Sequence, residues 1–375
     1  MIYIILIKFS NMNILSLFDW ISCGQRALSN LWIKIDNYYS SEIEKSAMSI
    51  TRYNFPNTIF LWDVKNIDKH YIDYETWKKI NIDILIGWSP CTSFSFAWKR
   101  NGMTTMDNVE ILSLAQYLKL KEEGFEFKWQ SYLFWEYIRL LKEIKPKYFF
   151  LENVKMDKKW ENLISETLWV KWIHINSADF SWQERKRIYW TNLPFDENIP
   201  KCETTVEDIL EDEVDEKYVI IPQKSVQILD EEFKKRKIGF IWTDWQANRI
   251  YNIHWKSVTL LGEAWGGGAK TWLYALPCIT PDRVVKRQLW RRFKPPKSKS
   301  FTLTTMDKHG ILTNSFIRKL TPLECERLQT TGDDFTKYWK DEKWDIIEIS
   351  DNKRYKALWN WWTVKVIEHF FKSLK

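Results

Sequence analysis

Two short stretches of this chain carry residue types capable of covalent chemistry. Pro90-Cys91 follows the apolar run Ile82-Asp83-Ile84-Leu85-Ile86. Glu152-Asn153-Val154 begins 61 residues after the cysteine and follows Tyr148-Phe149-Phe150-Leu151. Both runs read as strands, and an open α/β sheet holds its ligands at the carboxyl ends of its parallel strands. A cysteine placed there is a candidate nucleophile, because its thiolate adds to electron-poor carbon. Such an addition puts electron density on the acceptor, which then needs a proton or a hydrogen bond. Glu152 is the candidate acid, since burial raises a carboxyl pKa towards the range in which it can donate. The plain alternative for Cys91 is an inert buried thiol, the reading given to Cys202, Cys278 and Cys325.

Arg185 and Arg187 stand just before the apolar run Ile188-Tyr189-Trp190. On an extended segment their i, i+2 spacing puts both guanidinium groups on one face. Arg185 can then reach a carbonyl of the bound ring, and Arg187 a phosphate or a structural carboxylate; a basic edge strand is the alternative. Leu15-Ser16-Leu17-Phe18-Asp19-Trp20-Ile21-Ser22-Cys23-Gly24 reads as a strand, a tight turn and a helix start. Such a turn lets a ligand approach backbone N–H groups at a helix N-terminus. The three spaced glycines of a dinucleotide site are absent, which argues against a nicotinamide cofactor. Glu42 ends the second strand region, 23 residues past Asp19, and can accept both hydroxyls of a ribose. Asp63, after the third strand, can accept from an adenine amino group. Taken singly each acid is an ordinary surface residue; three at adjacent strand ends would hold an adenosine-type cofactor.

The elements that must position these groups follow an α/β rhythm from Asn13 to about Asn192. Short apolar runs predict strands near 13–17, 34–39, 58–61, 82–86, 147–151, 172–176 and 187–191. Amphipathic stretches predict helices near 25–31, 42–53, 130–143 and 157–167. Alternation of this kind argues for parallel β-α-β units. Residues 203–217 are acidic and read as a surface connection. Residues 218–300 lose the rhythm and become basic, with eight Lys/Arg and one acid between Pro281 and Ser300. Helices are expected again near 322–329 and 362–374.

Length and composition bound the partners. A chain of 375 residues can build one or two domains. A net charge of +7 suits a polyanionic partner without requiring one. Five scattered cysteines without a Cys-x-x-Cys pair argue against zinc or disulfide frameworks, so a cytoplasmic protein without metal is expected. The apolar start Met1-Ile2-Tyr3-Ile4-Ile5-Leu6-Ile7 is too short for a signal peptide or a membrane span, and no later stretch is longer. Met12, directly before the first strand, is expected to be the biological start, with an extra edge strand as the alternative for residues 1–11.

Tryptophan and glycine are out of balance. The chain has 24 Trp and 11 Gly, where about 26 Gly would be usual at ~7%. Several tryptophans stand where glycine signals belong. Trp359-Asn360-Trp361 reads as Gly-Asn-Gly, Ala264-Trp265-Gly266-Gly267-Gly268 as an unbroken glycine run, and Gly87-Trp88-Ser89-Pro90 as a Gly-Gly turn. The expectation is a gene that uses UGA for glycine, translated with UGA as tryptophan. The suspect positions are Trp20, Trp62, Trp88, Trp98, Trp255, Trp265, Trp272, Trp359 and Trp361, then Trp129, Trp169 and Trp290. Trp135, Trp160, Trp190 and Trp362 fit apolar positions and read as genuine. A truly Trp-rich protein, encoded by UGG, is the alternative.

Taken together, these segments resemble the DNA (cytosine-5)-methyltransferases of bacterial and phage type. Phe18-Asp19 through Cys23-Gly24 resembles the family's cofactor loop, Pro90-Cys91 its nucleophile motif, and Glu152-Asn153-Val154 its acid motif. Gln183-x-Arg185-x-Arg187 resembles its arginine motif. Arg318 to Gln329 resembles the segment supporting target recognition, and Tyr355 to Val364 the last motif, whose helix completes the cofactor pocket. The resemblance covers roughly residues 13–192 and 301–375. It implies a Rossmann-like S-adenosylmethionine-dependent methyltransferase sheet with helices on both faces, plus a smaller irregular target-recognition domain. It divides the chain into a catalytic domain at 13–200, a recognition region at 201–300 and a completing segment at 301–375.

The implied cofactor is S-adenosylmethionine, bound by Phe18, Asp19, Cys23, Gly24, Glu42, Asp63, Pro90, Asn360 and Val364. The implied reaction begins on a cytosine flipped out of double-stranded DNA. Cys91 adds to its carbon 6, Glu152 acts at N3, and Arg185 and Arg187 assist; carbon 5 then attacks the sulfonium methyl group. The implied setting is restriction-modification or phage DNA protection, by a monomer with or without a cognate restriction endonuclease. Thr92 stands where the family has Gln, which touches the filling of the vacated base position. Trp20, Trp88 and Trp359 stand where the family has glycine. If they are genuine, the expected protein is a DNA-binding homologue without catalysis. An RNA cytosine methyltransferase of the same fold is the remaining alternative.

Overall fold

Alternation along neighbouring strands sets the two faces of the central sheet. The computed structural model describes residues 12–68, 81–90, 103–128, 130–212, 214–220, 226–228, 236–241, 249–252, 255–257, 273–276, 316–359 and 362–375. Strands β1 (Met12–Leu17), β2 (Ile35–Ser41), β3 (Ile59–Phe60) and β4 (Ile84–Trp88) belong to this sheet, as do β7 (Tyr148–Val154), β8 (Ile173–Asn176) and β9 (Lys186–Thr191). Between them lies a short hairpin of β5 (Thr104–Thr105) and β6 (Phe127–Lys128). The described sheet runs β3-β2-β1-β4-β7-β9-β8.

Successive side chains on a strand point to opposite faces. Ile14, Ile84, Ile86 and Phe150 therefore enter one core, and Leu15, Leu17, Leu85 and Leu151 the other. On the first face pack α1 (Cys23–Asn30), α2 (Lys45–Asn54) and the C-terminal helix, while α4 (Phe134–Ile144) and α5 (Lys158–Leu168) cover the second. A further helix, α3 (Leu114–Glu122), buries only Tyr117. Leu114 and Leu120 pack beside it against the second core, a short apolar stripe that the sequence reading missed.

The seven strands and four helices expected up to Asn192 all form, with ends shifted by a few residues. The expected parallel run does not extend to the last strand. β1, β2, β3, β4 and β7 are parallel, whereas β9 runs antiparallel to both β7 and β8. The connection from Ser177 to Arg185 is too short for a helical crossover, which takes a dozen or more residues, so β8 and β9 pair as antiparallel neighbours.

The region after 218 is more regular than expected. It holds β10 (Val219–Ile220), β11 (Val226–Ile228), β12 (Lys237–Ile241), β13 (Arg249–Asn252), β14 (Leu273–Leu276) and β15 (Phe316–Lys319), ordered β10-β15-β14-β13-β12-β11. All pairs are antiparallel except β13 with β14. Because β15 lies between β10 and β14, this sheet extends past residue 300 into the C-terminal segment.

The acidic connection is anchored rather than merely superficial. Val206 and Ile209 are buried with Leu320, Leu328 and Leu358 in a third core. That core joins α6 (Pro322–Gln329) to α7 (Asp351–Trp359). α6 starts at a Thr321–Glu324 capping box with Pro322 in the first turn. Between these helices a hairpin, β16 (Tyr338–Lys340) with β17 (Ile346–Glu348), lies against α2. The chain ends in α8 (Val364–Phe371), whose Phe370 and Phe371 meet the ring of Phe150 at 5.1 and 5.5 Å. Among the described residues no helix is long and apolar enough to cross a membrane.

Candidate active site

The acid and the chain that leads towards the cysteine lie side by side because β4 and β7 are neighbours in register. Trp88 pairs with Glu152. Asn153 then donates its side-chain amide to the backbone oxygen of Ser89 at 3.1 Å and to its Oγ at 2.9 Å. The chain leaving β4 is thereby pinned to the strand that carries the acid. Pro90 is the last described residue of that chain; Cys91 lies outside the described residues.

Glu152 is fully buried. Its Oε1 is 3.0 Å from Nε of Arg187, and its Oε2 accepts the indole N–H of Trp362 at 3.1 Å. Burial pushes its carboxyl above the ordinary range; Arg187, then Arg185, then the Trp362 hydrogen bond pull it back. A buried carboxyl held between these influences can exchange a proton with a ring beside it. Arg187 is therefore placed on a carboxylate, one of the two roles its spacing left open. Arg185 is buried at the start of β9, its backbone N–H donating to Oδ1 of Asn176 at 3.0 Å.

The second half of the site is the turn between β1 and α1. Asp19 is buried there and accepts from Ser16 Oγ (2.5 Å), Ser22 Oγ (2.5 Å) and Tyr38 OH (2.8 Å). Burial raises its carboxyl and these donors lower it. Asp19 thus braces the turn from inside. Glu42 accepts the backbone N–H groups of Trp20, Ile43 and Glu44, each at 2.8 Å. A carboxylate offers about four lone-pair sites, so one stays available for a hydroxyl. Asp63 caps a short turn through Lys65 N–H at 3.0 Å and pairs with the Lys65 ammonium at 3.3 Å. A Cβ at Gly24 would stand 2.3 Å from Ile86 Cδ1 and 3.1 Å from the Tyr38 hydroxyl, so the Ile86 side chain would have to shift to admit one. Cys23 is a buried thiol pushed well up by burial and turned to the backbone oxygen of Trp362 at 3.7 Å.

Phe18, Asp19, Cys23 and Gly24 line one cavity, together with Ser16, Leu17, Ile21 and the indoles of Trp20, Trp88 and Trp362. Glu42, Asp63 and Pro90 are not on that wall, Val364 is sealed in the core, and Asn360 lies outside the described residues. Ser16, Tyr38 and Trp362 were missed as site residues. The first two hide inside strands as ordinary strand residues, and Trp362 looked like a packing indole.

The cavity volume is about 20 Å³, whereas ligand pockets run from roughly 300 to 1,000 Å³. The Trp20 indole crosses the turn and donates to the backbone oxygen of Ala357 at 2.7 Å. A space of this size does not accommodate an adenosine-type cofactor while Trp20 stands there.

Comparison with known proteins is consistent along the whole chain. A family model described as C-5 cytosine-specific DNA methylase matches residues 12–375. The orphan methyltransferase M.SPBetaI of Bacillus phage SPbeta is 27% identical, the match covering 97% of this chain and 98% of the relative. The type II methyltransferase M.HhaI of Haemophilus parahaemolyticus is 24% identical over 88% of this chain and 85% of its own. Among solved structures, Entamoeba histolytica methyltransferase EhMeth superposes with a TM-score of 0.58 at 17% identity, covering 97% of this chain and 98% of that one. The S. pombe Dnmt2 methyltransferase does so at 0.55 and 13% identity, with the same coverage; these two speak for the fold alone. With a family match spanning nearly its full length, the chain belongs to the C-5 cytosine-specific DNA methylases.

Proposed function

We propose that this DNA cytosine-5 methyltransferase, whose methyl donor is S-adenosylmethionine, works through a covalent adduct between Cys91 and a cytosine flipped out of the duplex. Carbon 5 of cytosine is a weak nucleophile. When the Cys91 thiolate adds to carbon 6, a carbon–sulfur bond forms and the 5,6 double-bond electrons move towards N3. A proton or hydrogen bond from Glu152 stabilises them there, and carbon 5 becomes an enamine carbon. After carbon 5 has gained its methyl group, loss of its proton and departure of the thiolate restore the ring.

The observation that carries this reading is the placement of Glu152. It is buried, held by Arg187 and Trp362, and set in register beside β4, three residues after whose end Cys91 stands in the sequence. Arg185, whose charge acts on the same carboxyl, serves the bound base. Residues 201–300 with β15 form the recognition region. A setting in phage DNA protection or restriction-modification, with or without a companion endonuclease, is supported by the phage and type II relatives.

A duplex carrying 5-fluorocytosine tests the reading directly. Fluorine at carbon 5 cannot leave as the proton does, so the adduct should persist through denaturing electrophoresis. It should be absent from Cys91→Ala. Absence of any adduct with enzyme that binds the duplex and the cofactor would overturn the covalent route.

A further inference from the structure

Among the described residues, two groups of tryptophan stand apart. Trp135, Trp160, Trp190 and Trp362 are buried in the cores, and none has a positive φ. Trp20, Trp32, Trp62, Trp169 and Trp344 have φ of 51, 58, 60, 57 and 68°. That left-handed region brings the Cβ of an L-residue against its own carbonyl, and a bulky side chain there is an outlier. Among the described residues eleven non-glycine positions have positive φ, and five of them are Trp.

At three of these places the local hydrogen bonding says which residue is called for. After α1, Ile33 N–H donates to Leu28 O at 3.1 Å and Trp32 N–H to Ser29 O at 3.0 Å. That is the paired closure of a Schellman motif, with Trp32 at the left-handed position that glycine normally fills. Trp169 ends α5 in the same conformation, with Val170 N–H returning to Ser165 O at 3.3 Å. In the hairpin from β16 to β17, Trp344 N–H donates to Asp341 O, and Asp341 N–H to Asp345 O, each at 3.2 Å. This is a three-residue loop built on a turn plus one left-handed residue, again a glycine place. The side chains bury little in return: Trp32, Trp169 and Trp344 are 89%, 92% and 58% exposed, and Trp344 has a surface cation–π contact with Lys340 at 5.4 Å.

Trp20 joins this pattern to the active site. Its side chain lines the 20 Å³ cavity at the β1–α1 turn, and also a cavity of about 380 Å³ bounded by the start of α2 and by Lys353, Lys356 and Ala357 of α7. The indole stands between the two.

We propose that Trp20, Trp32, Trp62, Trp169 and Trp344 are glycine in the protein its own cell makes, each encoded by UGA read there as glycine, and that Gly at 20 merges the two cavities into the S-adenosylmethionine pocket. Trp32 and Trp344 carry no glycine signal in their sequence neighbourhoods and come from the backbone alone. Trp88, Trp255 and Trp359 have no positive φ, so the backbone makes no such demand there. The pocket half rests on the methyltransferase reading; the backbone half does not.

Sequencing the gene and peptide mass spectrometry of the native protein test the backbone half. UGA codons and glycine-containing peptides at all five positions are expected; a UGG codon at any of them overturns the assignment. For the pocket, the chain as written is compared with the variant carrying Trp20→Gly alone. Calorimetry with S-adenosylhomocysteine should give at least a tenfold gain in affinity for the glycine form. Equal affinity in two proteins with matching circular dichroism overturns the merged pocket, whatever the methylation assay shows. Loss of DNA methylation with the affinity gain intact would instead strike at the proposed reaction.

Discussion

Trp362 donates its indole N–H to Oε2 of Glu152 at 3.1 Å, across 210 residues of sequence. The C-terminal segment that begins α8 thereby reaches into the acid site at the end of β7. Trp362→Phe keeps an aromatic ring against Phe150 but removes the donor and part of a buried ring. It should lower unfolding free energy by about 1–2 kcal/mol. The hydrogen bond lowers the Glu152 pKa, so its loss lets that pKa rise further above 4.5. A group with a raised folded pKa loses its stabilising contribution as pH rises through that value. The deficit of the variant should therefore be smallest below about pH 4.5 and grow towards neutrality. Urea unfolding across that range checks it, and a deficit independent of pH would refute the link to Glu152.

Glu152→Gln should retain the fold and DNA binding while cutting turnover by roughly 10²–10⁴-fold, the usual range for a positioned proton donor. Arg187 is the strongest influence holding the Glu152 carboxyl down against burial. Arg187→Gln should leave that carboxyl protonated to higher pH, moving the limb of the pH–rate profile assigned to Glu152 upward. An unmoved limb would mean that Glu152 is not the titrating acid.

The helix-ending tryptophans give a stability prediction that needs no activity. Trp32→Gly and Trp169→Gly should each raise unfolding free energy by about 1–2 kcal/mol, the cost of a left-handed L-residue. Trp135→Gly, fully buried in the core under α4, should instead lower it by at least about 3–5 kcal/mol. Denaturant titrations of the three variants settle the contrast. Destabilisation by all three would show that the indoles at 32 and 169 serve the fold.

Much of this architecture was legible because the strands are short apolar runs whose alternate residues serve two cores. Ile84, Leu85 and Ile86 are an example. Strand direction was not legible: nothing inside Arg187-Ile188-Tyr189 tells whether it runs with or against β7, and the brevity of the preceding connection decides. The hairpin at Tyr338–Glu348 went unread since its turn residue stands in the sequence as Trp344 rather than glycine. At the site, Glu152 could be found from its place at a strand end. The bracing of Asp19 by Ser16, Ser22 and Tyr38 could not, because it joins residues of two strands and a turn through side chains alone.

Binding to DNA should depend steeply on salt. Between Pro281 and Ser300 the sequence carries eight Lys/Arg against one acid, and each phosphate neutralised contributes a slope of about −0.9 in log affinity against log salt. Replacing Arg291 and Arg292 with Gln should reduce the slope by about 2 if both meet phosphates. The loss of affinity should be similar across duplexes of different sequence, because phosphate contacts position without specifying. Affinity for S-adenosylhomocysteine should stay unchanged. Fluorescence anisotropy with a labelled duplex from low to physiological salt provides the measurement. A slope near zero in the parent protein would remove this segment from the DNA interface.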